Sequence, residues 1–259
     1  MSDLPRLVPE TSHQSSPHSQ HDFSPSCPFC VIARTYGPIS PLAAADGSLE
    51  LDPDKLEPPS FVLYSSEHVI AFLDIMPLTR GHVLVAPRKH RVKVGDLSPD
   101  EGAESSTQNN ADDHQIGRIL PVLARSVIKA VMPDIPHEQA DYNVVQNNGP
   151  GAAQVVPHVH FHIVPRPPLN YVTPPRPTSA LKMKQYPPNA QPSGHKRTMI
   201  LFGRGMRDDL DDDDAAVLVE DMRQCIKKEW AVSFSVKGEA EVSDSFKGHG
   251  GTRKGAWKV

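Results

Sequence analysis

The clearest pattern in the chain is the alternation His158-Val159-His160-Phe161-His162-Ile163-Val164. On a β-strand, side chains point to opposite faces with period two, so the spacing predicts a strand with His158, His160 and His162 on one face. Val159, Phe161 and Ile163 would then face a core. Shorter apolar runs predict further strands at Phe61–Tyr64, Val69–Leu73, Val83–Ala86 and Tyr142–Gln146, the second of these returning on the first as an antiparallel hairpin. Between about Asp112 and Met132, Ile116, Ile119, Leu120, Leu123, Val127 and Val131 recur at helical spacing. Pro121 interrupts that pattern, which predicts a helix that kinks there or starts later. A short helix is expected over 31–36, and an inserted loop over 37–60. The acidic run Asp208–Asp214 loads the start of a helix expected to reach about Glu229, where carboxylates complement the helix dipole.

Composition limits how much of this is packed core. There are 27 prolines, and 31 acidic against 27 basic residues give a net charge of −4. That balance gives no electrostatic footprint for nucleic acid. Residues 1–26 and 235–259 read as disordered tails, 171–198 as a proline-rich linker and 199–234 as a helical extension packing on the main domain. The main domain is expected over 27–170. Three cysteines do not make a disulfide framework, and no stretch is apolar enough to span a membrane, so a cytoplasmic or nuclear protein is expected.

Two clusters suggest chemistry. Asn147-Asn148-Gly149-Pro150-Gly151-Ala152-Ala153-Gln154 precedes the histidine row. A glycine-bearing turn can offer N–H groups to an anion, and Asn147 and Gln154 bring neutral amide donors. A histidine row facing an anion-binding turn suggests phosphoryl chemistry. Cys27-Pro28-Phe29-Cys30 can be read as a zinc half-site, a redox pair or two buried thiols.

The turn and the row together resemble the signature of the histidine triad (HIT) nucleotide hydrolases and transferases, and Ala71-Phe72-Leu73-Asp74-Ile75-Met76-Pro77 with Gly81-His82-Val83-Leu84-Val85 resembles their second motif. The resemblance covers roughly residues 25–170 and implies an α+β fold, an antiparallel sheet of about five strands with packed helices, and a homodimer. It makes His160 the nucleophile, with His158 and His162 beside it. It puts Asp74 on the ribose hydroxyls, His82, Asn147 and Gln154 near the phosphates, and Phe29, Ile32 and Ile75 around a purine base. It also completes Cys27 and Cys30 with His90 and His158 as a structural zinc site; no organic cofactor is expected. The third histidine and the Cys-x-x-Cys look most like the nucleoside phosphoramidase (Hint) branch, although Val155 stands where several of its members place a serine. Dinucleoside polyphosphate hydrolysis is the runner-up, and a non-catalytic nucleotide-binding module the third reading.

Overall fold

The structure is a computed structural model and describes residues 22–97, 116–168, 171–172, 207 and 209–234. Five strands form one antiparallel sheet in the order β1-β2-β3-β5-β4. They are β1 Val62–Ser65, β2 Val69–Leu73, β3 Val83–Pro87, β4 Tyr142–Gln146 and β5 Phe161–Pro165. Every residue of β2 and β3 is buried, so both faces of the sheet centre are covered. This explains why these strands read as continuous apolar runs rather than as alternations.

One face carries two long helices, α3 Ile116–Val131 and α4 Asp212–Phe234. Ile119, Leu123 and Val127 of α3 and Leu218, Met222 and Ile226 of α4 meet Val83, Val85 and Ile163 there. Each such side chain removed from water contributes about 2 kcal/mol. Arg125 ties the helices together through Glu229 at 2.8 Å. Helix α3 runs through Pro121 without a break. The missing N–H leaves one intrahelical bond unmade, and burial of the flanking apolar stripe outweighs that loss. Helix α4 continues one turn past Glu229, where Trp230 and Phe234 stack at 4.5 Å and pack on the same core.

The other face is covered by α1 Pro28–Thr35, which lays Phe29, Cys30, Ile32 and Ala33 on Ile70, Phe72 and Leu84. Pro28 fits the first helical turn, where its lack of an N–H is harmless. At the other end, Arg88 donates to the carbonyls of Ala33 and Tyr36 and so closes α1. The stretch 37–60, expected as a loop, instead contains the short helix α2 Pro41–Ala44 and two tight turns, and it buries Ala44, Ala45 and Leu51. Buried Arg223 of α4 donates to the carbonyls of Leu51 and Val62 and fastens this insert to the sheet edge.

Two further expectations change. Residues 22–26 are not tail: Asp22 accepts from His90 N at 3.0 Å and pairs with Arg91, and Phe23 packs beneath Arg34. The histidine strand is shorter than the alternation suggests. Strand β5 begins at Phe161, so His158 and His160 approach it outside the ladder. The reason lies next door, where pairing with β3 ends at Val85↔Phe161 and Val159 N turns to Arg91 O instead. The expected tails and linker at 1–21, 173–198 and 235–259, and the polar loop at 98–113, lie outside the described residues.

Gly81 sits where loop, helices and site meet. Its φ is +79°, and a Cβ there would collide with Val131 Cγ2 and lie 3.2 Å from Met222 Cε. Gly81→Ala should therefore destabilise the protein by roughly 2 kcal/mol or more, read as a shift in the urea midpoint. A midpoint equal to the parent's would contradict this packing.

Candidate active site

The hairpin between β2 and β3 brings the first two site residues together. Phe72 pairs with Leu84 and Leu84 pairs with His162, so these three share one face. Period two then carries Asp74, His82 and His160 onto that face as well. Asp74 and His82 are adjacent across the turn, with Asp74 N donating to His82 O at 2.9 Å.

The imidazole tautomers follow from fixed backbone partners. Leu78 N donates to His82 Nδ1 at 3.2 Å, so His82 carries its proton on Nε2. That proton points to His162 Nδ1 at 2.9 Å, which leaves the His162 proton on Nε2. His162 Nε2 is buried and has no hydrogen-bond partner among the described residues, which leaves a donor available to a bound oxygen. His160 Nδ1 lies 2.6 Å from the carbonyl oxygen of His158. A carbonyl only accepts, so Nδ1 carries the proton and Nε2 presents its lone pair. Phe29 and His162 flank the His160 ring edge-on, with centroids at 5.1 and 4.8 Å.

Burial keeps all these rings uncharged. Desolvation holds His82 and His162 down at about 3, helped by the Arg207 guanidinium and by neighbouring imidazoles. Desolvation also lowers His160, partly offset by the His158 carbonyl and Asp74. The row of imidazoles is therefore neutral at pH 7, and covered rather than open to solvent, since none of the three is more than 7% exposed.

The turn before the row plays a different part from the one its composition suggests. Gly149 has φ +101° and donates its N–H to Gln154 Oε1 at 2.6 Å. The N–H groups of Ala152, Ala153 and Gln154 also bond within the turn. Gln154 Nε2 donates to Val92 O at 2.8 Å and to His158 O at 3.2 Å. Its amide is consumed by the protein, which corrects its expected contact with phosphate. Gln154 instead braces the carbonyl that sets the His160 tautomer. Asn147 is half-buried, and its side-chain amide has no partner among the described residues.

A second cluster lies behind the row. Cys27 Sγ is 3.4 Å and Cys30 Sγ 3.6 Å from His158 Nδ1, and Cys30 Sγ is 3.3 Å from His90 Nδ1. Ligands on a tetrahedral ion with metal–sulfur and metal–nitrogen bonds of about 2.3 and 2.0 Å would be about 3.3–3.8 Å apart. His158 Nε2 also faces Pro87 O at 2.9 Å, so its proton is there and Nδ1 offers a lone pair to the cluster. Burial pushes the Cys30 thiol up to about 11, an environment that a cation between the sulfurs would reverse. The four residues fit a metal ion. The neighbouring set Asp74, His82 and His162 does not need one, because the His82–His162 bond and Arg207 already engage it.

The pattern of the HIT domain matches residues 55–169. An adenosine 5'-monophosphoramidase of Schizosaccharomyces pombe is 36% identical over 146 residues, 56% of this chain and 78% of that protein. The chain belongs to the HIT family. Another adenosine 5'-monophosphoramidase, from Candida albicans, is 39% identical over 114 residues, 43% of this chain and 65% of its own length. A histidine triad nucleotide-binding protein of Sulfolobus tokodaii shares the fold, with a TM-score of 0.51 at 18% identity, covering 82% of this chain and all of that one.

Asp74, His82, His160 and His162 of the HIT domain converge on one site with Phe29 from α1, and Ile32 is buried beside Phe29. Ile75 stands at the rim and is 55% exposed. His158 belongs to the Cys27, Cys30 and His90 cluster by its side chain and to the site by its carbonyl. One residue escaped the sequence altogether. Arg207 donates to Asp74 Oδ2 at 3.1 Å across 133 positions, and nothing in its local pattern signals that contact.

The metal cluster makes a direct prediction. The purified protein should carry about one equivalent of tightly held metal, and Cys30→Ser should lower both that content and the melting temperature. A metal-free parent protein with unchanged stability after chelation would contradict the assignment.

Proposed function

We propose that this protein hydrolyses adenosine phosphoramidate-type substrates, releasing AMP through a nucleotidyl-histidine intermediate on His160. The observation that carries this reading is the His160 Nδ1 bond to the His158 carbonyl, which leaves Nε2 as a neutral nucleophile. Nε2 forms a bond to the α-phosphorus, and the phosphorus–nitrogen bond to the leaving amine breaks. The amine departs with the electron pair and takes a proton from water, since Val155 is 91% exposed and has no hydroxyl to supply one. Water then attacks the same phosphorus, giving its proton to the hydroxide left by the first step, the bond to His160 breaks, and neutral imidazole returns.

The remaining groups act on charge and position. His162 Nε2–H, the unpartnered buried donor, is suited to a phosphoryl oxygen as negative charge develops there. His82 fixes that tautomer from behind. Asn147 offers to the phosphates an amide that is unpartnered among the described residues, Asp74 accepts the ribose hydroxyls, and Phe29, Ile32 and Ile75 receive the purine. Zinc suits the Cys27, Cys30, His90 and His158 set, where it would act as a structural tie holding the His158 backbone in place. Two copies joined along the outer edge of β4, where Val144 is exposed, fit this reading as a homodimer.

His160→Ala should reduce AMP release from adenosine phosphoramidate by about three orders of magnitude or more, while AMP binding stays within a few-fold of the parent. Substantial turnover in that variant, measured by chromatography of released AMP, would sink the proposal. Gln154→Ala should lower kcat more than it raises KM, because it frees the carbonyl that orients His160. An effect on KM alone would show that Gln154 binds substrate instead.

A further inference from the structure

The carboxylate assigned to the ribose is already occupied by the chain itself. Asp74 Oδ1 accepts from Met76 N at 2.9 Å, and Oδ2 accepts from Arg207 Nη1 at 3.1 Å. The same Nη1 donates to Met76 O at 2.8 Å. The Asp74 side chain is only 9% exposed and that of Arg207 31% exposed, so the pair sits at the mouth of the site with the carboxylate inside and the cation at its rim.

Arg207 is not placed there by the pair alone. Leu210 N donates to Ile75 O at 3.0 Å. Asp214, in the first turn of α4, holds Arg80 through two bonds of 2.7 Å. Asp211 Oδ1 in turn accepts from Asp214 N at 2.9 Å and fixes the start of that helix. The segment leading into α4 is thus fastened at three points along the 74–80 loop: at Asp74 and Met76, at Ile75, and at Arg80. This loop also contains Leu78, whose N–H sets the His82 tautomer. Two of the three fastenings, at Leu210 and at Asp214, do not involve Arg207 and hold those residues independently of its guanidinium.

From this juxtaposition we propose that Arg207 is a specificity residue that competes with the ribose hydroxyls for Asp74, on a strap held over the nucleotide site by Leu210 and Asp214. The inference rests on the nucleotide reading above. A ribose diol reaching Asp74 must displace the guanidinium from Oδ2, and a ligand whose binding-competent state is only partly populated binds more weakly by that fraction. Removing the guanidinium leaves a nearly buried carboxylate short of a donor, and ribose hydroxyls then satisfy it without competition. The gain belongs to the sugar hydroxyls. A ligand lacking them gains nothing.

Arg207→Ala tests this directly when the affinities of AMP, adenosine and 2',3'-dideoxyadenosine are measured by titration calorimetry on the full chain. Arg207→Met, which keeps the length of the stem, serves as the second variant, and melting temperatures confirm that both are folded. Adenosine should bind about two- to fivefold more tightly to both variants, in line with the strength of a partly exposed ion pair. Dideoxyadenosine should bind them as it binds the parent. Adenosine affinity that is unchanged or weaker overturns the strap, and a weaker one makes Arg207 an ordinary ligand contact. An equal gain for both nucleosides also overturns it, since the effect would then not pass through the ribose hydroxyls. A parent protein that binds neither AMP nor adenosine overturns the nucleotide reading itself, and the strap with it.

Discussion

The carbonyl oxygen of His158 is the point on which the site depends. It accepts from His160 Nδ1 at 2.6 Å and from Gln154 Nε2 at 3.2 Å. The first bond decides which nitrogen of His160 carries a lone pair, and the second holds the acceptor in place. The ring of His158 is itself locked between Pro87 O and the two thiols, so one residue anchors His160 by its backbone and the Cys27–Cys30 pair by its side chain. Weakening any of these contacts lets His160 rotate or exchange tautomers. Either change would remove the lone pair from the place where a phosphorus atom could meet it.

A second constraint is burial. Covering both faces of the sheet with helices excludes water from four imidazoles, and desolvation then keeps them neutral. Neutrality is what lets His82 pass a directional hydrogen bond to His162 and leaves His162 with one buried donor unpaired among the described residues. The α1 helix is therefore part of the chemistry as well as of the core, because Phe29 both buries the row and forms its wall.

How far the sequence revealed this differs from residue to residue. Strand positions were legible because β2, β3 and β4 carry dense apolar or β-branched runs, and their observed limits lie within a residue of those expected. The convergence of Asp74, His82 and His162 follows from the hairpin register once Phe72 and Leu84 are known to pair. The role of Gln154 was not legible, since an amide beside a glycine turn can face a ligand or the protein equally well, and only the fold decides between Val92, His158 and solvent. The end of β5 at Phe161 depended on where β3 stops, a property of its neighbour. The content of 37–60 was hidden because its carbonyls find partners far along the chain on α4, Leu51 O accepting from Arg223 and Ala45 O from Gln224, while Ala44 and Leu51 pack beside Tyr36, Val62 and Ile70. Arg207 was invisible for the same reason: its meaning comes from Asp74, and no local pattern links them.

The most direct test of the account is to look for the covalent intermediate. The protein should be mixed with a slowly turned-over adenosine phosphoramidate, quenched in alkali, where phosphorus–nitrogen bonds to histidine survive, and digested for mass spectrometry. The account predicts an AMP adduct on the peptide containing His160, attached through Nε2 and formed as fast as turnover requires. Turnover with the adduct on another residue, or with water attacking directly and no adduct at any time, would contradict it.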